Sequence, residues 1–172
     1  MKNCTQRAEY WIERLELVPH PEGGFYRETY RSRQSYDFGT GTSFGGTRNH
    51  ATAIYYLLRA GDRSRLHSIR SDELWFYHAG SPLCVHCFPP DGEPYAFVLG
   101  LDADNGEVLQ AMVPSERWFG AMLDQQAAAA ESYSLVSCVV APGFDFRDFS
   151  FAPRSLLLER YPAFSSVIDR LS

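Results

Sequence analysis

Two segments of this chain, one near each end, carry apolar residues at the spacing of an amphipathic helix. In the first segment, residues 6–17, the apolar face consists of Ala8, Trp11, Ile12 and Leu15. In the second, which ends the chain, it consists of Phe164, Val167, Ile168 and Leu171. Residues spaced in this way lie on one side of a helix, so both segments are predicted to be short helices, the first capped by Thr5.

Between these helices the pattern changes to short runs rich in β-branched and aromatic residues. The runs cover residues 51–58, 73–78, 82–88, 94–100, 107–113, 117–122 and 133–141, and a further extended segment covers 25–30. Turn sequences rich in Gly, Pro, Asp and Ser separate them. Short strands at such regular spacing predict an all-β sandwich or barrel.

Three stretches differ from this strand pattern. Residues 32–47 are rich in Ser, Thr and Gly and predict a mobile loop. Residues 124–132, with their run of alanines, predict a loop or a short helix. Residues 144–151 alternate Phe with polar residues and predict one more half-buried strand, with a bend or bulge near Arg147.

The composition describes a single globular domain. The chain has 172 residues and no linker or repeat that divides it, so residues 1–172 are interpreted as one domain. Lys and Arg total 16 and Asp and Glu total 21, and the net charge of −5 argues against a nucleic-acid binder. No apolar stretch approaches the roughly 18 residues that a membrane helix needs. The aromatic share of 15% favours strands around an aromatic interior.

The cysteines bear on location and on metal binding. The N-terminal segment lacks the apolar core of an export signal, so a cytoplasmic protein with reduced thiols is expected. Cys84 and Cys87 form a C-x-x-C motif, but residues i and i+3 of a strand point to opposite faces. No second cysteine pair completes a zinc site. Ordinary packing is therefore expected for both, and Cys138 is predicted to pack as a small apolar group.

Residues 61–80, GDRSRLHSIRSDELWFYHAG, carry a recognisable spacing of glycine, histidine and glutamate. Gly61, His67, Glu73 and Gly80 stand at the positions of the first motif of the cupin superfamily, which the segment resembles in register. The motif has a second histidine, and this chain has Ile69 there.

The second cupin motif corresponds to residues 106–119, where the resemblance is weaker. Gly106 and Pro114 suit its frame, although the spacing between them is two residues longer. Glu116 stands where a glycine is usual. Phe119 stands where the third metal-binding histidine belongs, with Trp118 beside it.

A narrower resemblance covers most of the chain. The blocks 19–30, 52–58, 71–80 and 140–149 resemble, in order, cupin family 5, also called domain of unknown function 985. The resemblance extends over about residues 10–162. It implies a double-stranded β-helix, or jelly-roll barrel, flanked by short helices and often found as a homodimer. It implies no agreed reaction.

The resemblance also implies a metal site of three histidines and one glutamate, of which His67 and Glu73 remain. Ile69 and Phe119 have no donor atoms, and a stable site usually needs three or more protein ligands. We therefore expect no metal cofactor. His67 and Glu73 are the weak candidates for a loosely held divalent ion.

Strand alternation predicts which side chains point into the barrel. Glu73, Trp75 and Tyr77 share one face of a strand, and Arg65 and His67 share one face of a neighbouring strand. A cavity with a few polar groups among aromatic walls is typical of a small-molecule site. The candidate ligand-binding residues are Arg65, His67, Glu73, Trp75, Tyr77, His86, Trp118 and Phe119.

Structural roles are the alternative for several of these residues. His67 and Glu73 are then expected only to satisfy each other's hydrogen bonds. His86 is then a half-buried structural histidine, and Trp118 and Phe119 are core residues. Surface or loop positions are expected for Arg27, His20 and His50.

The leading functional hypothesis is a barrel that binds a small polar or ring-containing metabolite. The second is a metal-independent isomerase or epimerase with His67 as base and Tyr77 as acid, by analogy with metal-free sugar epimerases that share the cupin fold. Two less favoured hypotheses are a metal-dependent oxygenase and a structural dimer without a ligand. The expected partners are a small molecule and a second copy of the chain, with no nucleic acid and no membrane.

Overall fold

The structure is a computed structural model that describes residues 7–123 and 129–172. Helix α1, Ala8–Arg14, confirms the N-terminal helix over a shorter span than predicted, and the proposed cap Thr5 lies outside the described residues. The buried side chain of Ala8 contacts the outer face of the barrel, where Leu57 and Leu135 point outward. On the same side, the indole N–H of Trp11 donates to the hydroxyl of Tyr133 at 2.8 Å.

Short strands account for most of the chain between α1 and the C-terminal helices. They are β1 (Val18–Pro19), β2 (Phe25–Arg31), β3 (Ser35–Asp37), β4 (Thr47–Asn49), β5 (Thr52–Arg59), β6 (Arg63–Ser68), β7 (Asp72–Gly80), β8 (Leu83–Phe88), β9 (Tyr95–Leu99), β10 (Gln110–Val113), β11 (Trp118–Leu123), β12 (Tyr133–Ala141) and β13 (Ser150–Phe151). Each strand run predicted from the sequence overlaps one of them, with boundaries that differ by up to three residues.

The main strands form two antiparallel sheets with a shared core. One sheet has the order β1-β2-β5-β12-β7-β10, and the other has the order β13-β6-β11-β8-β9. Inward side chains of both sheets, among them Tyr56, Trp75, Val85 and Phe119, are buried in one cluster. Two packed sheets around such a core are the jelly-roll architecture, so the predicted all-β double-stranded β-helix is confirmed.

The C-terminal helices cover the outer face of the five-stranded sheet. They are α2 (Arg154–Arg160) and α3 (Ser165–Leu171), joined by a 3₁₀ turn at Pro162–Phe164. Leu157, Ile168 and Leu171 are buried there against outward side chains of the sheet. Burial of each such side chain stabilises the fold by about 1.5–3 kcal/mol. Within the described ranges, no helix has the length and apolar character needed to cross a membrane.

Two loop and strand predictions were wrong in part. The segment 32–47, expected to be a loop, contributes β3 and the start of β4, which pair with each other. The reason is tertiary: Arg48 on β4 is buried and its Nε lies 2.5 Å from Oδ2 of Asp148, which anchors the hairpin to the chain after β12. Of the predicted loop or short helix at 124–132, residues 124–128 lie outside the described part of the chain.

The segment 144–151, expected to be a strand, is mostly a turn. A 3₁₀ helix spans Phe146–Asp148, and only the last two residues join the sheet as β13. The carboxylate of Asp145 caps this turn by accepting the N–H of Arg147 at 2.9 Å. The bend predicted near Arg147 is confirmed, and the capped turn explains why the alternation of Phe with polar residues does not make a longer strand.

Candidate functional site

A cavity of about 260 Å³ lies between the two sheets. Strands β5, β7 and β12 contribute alternate residues to its wall, and β2 contributes Tyr26, Glu28 and Arg31. His67 of β6 and Ile69, which follows that strand, complete the wall on the side of the second sheet. The lining residues Glu28, Arg31 and Phe146 are exposed, and they mark its mouth. The buried residues therefore define an inner region that lies away from solvent.

The turn between β1 and β2 closes one side of this inner region. Gly23 has a left-handed φ of 115°, and a Cβ atom there would lie 2.1 Å from the carbonyl oxygen of Arg63, so only glycine allows this approach to β6. The N–H of Arg65 donates to the carbonyl of Glu22 at 3.0 Å. The turn is thereby joined to β6, and the side chains of His20 and Glu22 line the cavity.

His67 is 2% exposed and holds a defined tautomer. Its Nδ1 lies 2.7 Å from the carbonyl oxygen of Arg65, which can only accept, so Nδ1 carries the hydrogen and Nε2 of the neutral ring carries a lone pair. Burial lowers the pKa of His67 to about 4. At neutral pH the ring is therefore uncharged, and its Nε2 faces Oε2 of Glu22 at 3.4 Å.

Glu22 is a buried carboxyl group with several polar neighbours. The hydroxyl of Ser64 donates to its Oε2 at 3.1 Å, and Nδ1 of His20 lies 3.9 Å from the same oxygen. Burial raises the pKa of Glu22, and the nearby histidine and hydroxyl oppose that rise. Burial also lowers the pKa of His20, so neither imidazole next to Glu22 is a permanent cation.

Glu73 is the second buried carboxyl group of the cavity. Burial, together with the charge of Glu22, raises its pKa to about 8, although a hydrogen bond with the thiol of Cys138 opposes the rise. At pH 7 most molecules therefore hold a proton on Glu73. Trp75, two residues along β7, lines the same cavity, and its indole Nε1 is buried with no hydrogen-bond partner among the described residues.

The mouth of the cavity has a different character. Arg31 is bound by Glu28, with Nη2 and Oε2 2.6 Å apart, and it also donates to Asn49 and to the carbonyl of Phe144. Phe144 and Phe146 supply aromatic edges on the other side. Arg31, the one Lys or Arg among the described residues that lines the cavity, is thus already engaged by an acidic neighbour.

Three of the candidate residues line the cavity as predicted: His67, Glu73 and Trp75. Phe119 lies behind them in the core, with its ring centroid 4.1 Å from that of His67. The alternative in which His67 and Glu73 only pair with each other is not what the structure has. His67 faces Glu22, and Glu73 is bonded by Cys138.

Arg65 was wrongly placed in the cavity by strand alternation. Register with β11 shifts inside β6, where Ser64 and His67 stand opposite Ala121 and Phe119, so β6 holds one extra residue between them. Such a bulge changes which side chains face inward. Arg65 points outside the cavity, where its guanidinium donates to the carbonyl of Pro21 at 2.9 Å.

Tyr77 was also wrongly placed in the cavity wall. It lies on β7 beyond Trp75, and its hydroxyl donates to the carbonyl of Gly80 at the end of the strand. Its ring contacts the main core but does not line the cavity. Alternation predicts the face of a residue and not its depth along the barrel, which is why the prediction failed.

His86 and Trp118 face away from the barrel interior, so their placement in the cavity is corrected. Val85 and Cys87 are buried in the main core, and His86 between them points outward with its Nε2 3.3 Å from Sγ of Cys84. Trp118 contacts the cluster beneath the C-terminal helices. Cys84 and Cys87 lie on opposite faces, as predicted.

Sequence reasoning missed the closing turn. His20 was expected at the surface, yet its side chain is 9% exposed and lines the cavity with Glu22. The signal was present in the block PHPEGG, where two glycines beside a histidine and a glutamate mark a close backbone approach. Tyr56 and Cys138 were also missed as cavity residues, although Cys138 is buried in the core as expected. Arg27 is at the surface, paired with Glu16.

The residues at the cupin metal positions do not fit a metal ion. Ile69 is buried without a donor atom, and Phe119 places its ring against His67. Across residues 7–123 and 129–172, no three His, Cys, Asp or Glu side chains converge to hold an ion. Glu116, at the glycine position of the second motif, has a left-handed φ of 60°, so the motif's backbone turn persists without its ligand.

Comparison with known proteins gives relatives over nearly the whole chain. The Cupin superfamily (DUF985) profile matches residues 9–152. An uncharacterised protein of Saccharomyces cerevisiae is 34% identical over an alignment of 147 residues, which covers 81% of this chain and 72% of the yeast protein. The structure of a hypothetical protein from Leishmania major superposes with a TM-score of 0.86 at 40% identity, covering 97% of this chain and 99% of that one.

Two further structures extend the comparison. A protein from Shewanella oneidensis superposes with a TM-score of 0.84 at 40% identity, covering 97% of this chain and 98% of that one. Oxalate decarboxylase from Bacillus subtilis superposes with a TM-score of 0.52 at 15% identity, covering 90% of this chain and 36% of that enzyme, a likeness of fold alone. The chain therefore belongs to the cupin superfamily, in the family described as domain of unknown function 985.

Proposed function

We propose that this protein binds a small organic molecule in the barrel cavity. The observation that supports this most directly is a pair of buried polar groups on β7 without full protein partners. The indole N–H of Trp75 has no acceptor among the described residues, and the carboxyl group of Glu73 has the thiol of Cys138 but no basic side chain. Buried polar groups are normally satisfied, so a ligand with matching groups accounts for both.

The size and walls of the cavity support the same proposal. About 260 Å³ is close to the lower end of known ligand pockets and suits a molecule of one ring. Tyr26, Tyr56 and Phe144 add aromatic and phenolic surface to the indole of Trp75. A flat ring with polar substituents can pack against the aromatic side chains and form hydrogen bonds with the polar groups of the wall.

NMR spectroscopy of the ¹⁵N-labelled protein tests this proposal with a set of monocyclic aromatic and hexose probes. Binding is expected to shift the Trp75 indole resonance and the amides of Glu73 and Cys138. Ile54→Phe, which adds bulk to the cavity wall, should weaken binding, whereas Tyr77→Phe, on the same sheet outside the cavity, should not. Probes whose shifts survive Ile54→Phe unchanged, or that never affect these resonances, would contradict the proposal.

A second candidate is a metal-independent isomerase or epimerase, favoured by the protonation states in the cavity. The unprotonated Nε2 of His67 faces Glu22, and Glu73 in the same cavity holds a proton at pH 7. A base and an acid that face one small volume can remove and return a proton on a ligand carbon. Glu73 replaces Tyr77 as the acid in this version of the hypothesis.

Deuterium exchange tests this second candidate. Keto and amino sugars incubated with the protein in deuterated water are expected to exchange a carbon-bound hydrogen, as measured by mass spectrometry. His67→Ala should abolish exchange, and Tyr77→Phe should leave the rate unchanged. Equal rates for His67→Ala and the parent would exclude His67 as the base.

The homodimer and the cytoplasmic location stay predictions, as does the absence of nucleic-acid and membrane partners. Sedimentation velocity of the purified chain measures the oligomeric state. A single species with the mass of one chain at micromolar concentration would contradict the dimer.

A further inference from the structure

We propose that the ligand of this cavity carries a positively charged nitrogen, held between the buried carboxyl groups and the aromatic walls. This inference rests on the proposed binding function and narrows it to one class of ligand. It follows from the charges that line the cavity, which are unequal in sign. Among the described residues, Glu22, Glu28, Glu73 and Asp145 line it, against one guanidinium, that of Arg31, and two imidazoles whose pKa is lowered by burial.

The charges at the mouth are already paired. Arg31 is engaged by both carboxylate oxygens of Glu28, at 2.9 and 2.6 Å. Asp145 is engaged by Arg147, with 2.7 Å between Nη2 and Oδ2. The mouth therefore contributes no uncompensated charge that would select a ligand.

The charges of the inner region are not paired with any permanent cation. Among the described residues, no Lys or Arg forms an ion pair with Glu22 or Glu73. The partners of Glu22 are a hydroxyl and two imidazoles, and that of Glu73 is a thiol. A buried carboxylate is stable only when a positive charge or several hydrogen bonds compensate it. The charge of Arg65, which lies outside the cavity, acts on Glu22 only at a distance, and Glu73 is kept neutral by its proton. A cation inside the cavity would compensate Glu22 directly and would allow Glu73 to release that proton.

The walls near these carboxyl groups are of the kind that favours cations. Tyr26, Tyr56 and Trp75 line the cavity with Glu22 and Glu73. The face of an aromatic ring attracts a positive charge, and the attraction increases when water is excluded. A negative group at the same place would lie close to Glu22 and would oppose loss of the proton from Glu73, and no Lys or Arg among the described residues lines this inner region. The arrangement therefore selects against carboxylate or phosphate groups in the inner region.

Three probes of one shape and three charges test the inference: benzylammonium, benzyl alcohol and benzoate. Their dissociation constants are measured by NMR titration at pH 7, from the resonances of Glu73 and the Trp75 indole. Benzylammonium is expected to bind about tenfold more tightly than benzyl alcohol, a ratio in the range of a desolvated cation–π contact. Benzoate is expected to bind more weakly than both.

Two variants locate the charge preference. Glu73→Gln keeps the shape of the side chain but cannot release a proton to become a carboxylate when a cation binds. It should therefore lower the preference for benzylammonium over benzyl alcohol below the roughly tenfold value of the parent. Glu16→Gln, an exposed carboxylate paired with Arg27 on the outside of the barrel, is the matched control and should leave the preference unchanged. An equal preference in Glu73→Gln and the parent would overturn the inference.

The three affinities also distinguish failure of the charge preference from failure of the proposed ligand binding. If benzyl alcohol or benzoate binds as tightly as benzylammonium at the cavity resonances, the charge inference is wrong and ligand binding stands. If none of the three shifts these resonances, both are overturned.

Discussion

Nε2 of His67 lies 3.4 Å from Oε2 of Glu22 inside the barrel, although the two residues come from segments that the cupin motif does not connect. His67 belongs to the motif, and Glu22 belongs to the turn before β2. The turn reaches β6 through the hydrogen bond from the N–H of Arg65 to the carbonyl of Glu22. The histidine of the motif thus contacts a carboxyl group that comes from outside the motif.

Glu22 should control the titration of Glu73. The charge of Glu22 is the second cause, after burial, of the raised pKa of Glu73. Glu22→Gln is therefore expected to lower the pKa of Glu73 from about 8 while leaving it above its ordinary value, because burial remains. Carbon-13 NMR titration of the Glu73 carboxyl carbon measures this, with the surface variant Glu16→Gln as control. An unchanged pKa in Glu22→Gln would show that the two carboxyl groups do not interact.

Glu73 should also make stability depend on pH. Its pKa is raised from near 4.5 to about 8 on folding, so the protonated form stabilises the fold below pH 4.5 and this contribution is lost as pH rises through 8. The free energy of unfolding of the parent, relative to Glu73→Gln, should fall by up to about 1.4 kcal/mol per pH unit over this window. Urea denaturation of both proteins at intervals from pH 5 to 9 measures the difference.

The comparison between variants is needed because His67 titrates in the opposite sense. Its pKa is lowered from 6.5 to about 4, so its contribution is present above pH 6.5 and is lost as pH falls through 4. Between about pH 4.5 and 6.5 the two contributions change the stability in opposite directions, and above pH 6.5 only the contribution of Glu73 still changes. A constant difference between the parent and Glu73→Gln across the series would contradict the raised pKa of Glu73.

Gly23 should be intolerant of any side chain. Its φ of 115° is strained for alanine, and a Cβ atom would lie 2.1 Å from the backbone oxygen of Arg63. Gly23→Ala is expected to reduce the free energy of unfolding by about 3 kcal/mol or more, through strain and displacement of the closing turn. Gly39→Ala is the matched control, with a φ of 71° and open space, and should cost about 1–2 kcal/mol. Equal losses in thermal or urea unfolding would show that the close approach to β6 is unimportant.

The ion pair between Arg48 and Asp148 should be needed to hold the β3–β4 hairpin against the turn after β12. Arg48 is 3% and Asp148 is 7% exposed. Arg48→Ala therefore leaves a buried carboxylate whose remaining ion-pair partner among the described residues is the half-exposed Arg70. A loss of about 3–5 kcal/mol is expected. Arg27→Ala, which breaks the exposed pair with Glu16, should change the stability by less than about 1 kcal/mol. Similar values from urea denaturation of the two variants would contradict a special role for the buried pair.

Local sequence pattern was sufficient for several elements of this fold. The helical spacing of Phe164, Val167, Ile168 and Leu171 predicted α3, because one apolar face must be buried. Alternation placed Cys84 and Cys87 on opposite faces of β8, since side chains of a strand alternate strictly.

Local pattern was insufficient wherever a strand departs from regularity. The bulge in β6 turns Ser64 and His67 inward and leaves Arg65 outside, and no feature of the segment's polarity marks the extra residue. The prediction for Tyr77 was wrong for another reason. Its side chain is on the face of β7 that packs against the core, but it lies too far along the strand to reach the cavity, and its hydroxyl donates to the carbonyl of Gly80. Bulges and depth are set by pairing with distant strands.

The sequence by itself determined the fold class, the family and three residues of the cavity wall, because apolar periodicity and motif spacing are properties of neighbouring residues. It placed His67, Glu73 and Trp75 correctly. Only the tertiary structure brought Glu22 to His67, because that contact depends on a glycine turn crossing to a strand far along the chain. Burial in the closed barrel then decided which groups hold protons, since desolvation is a property of the packed interior and of no single residue.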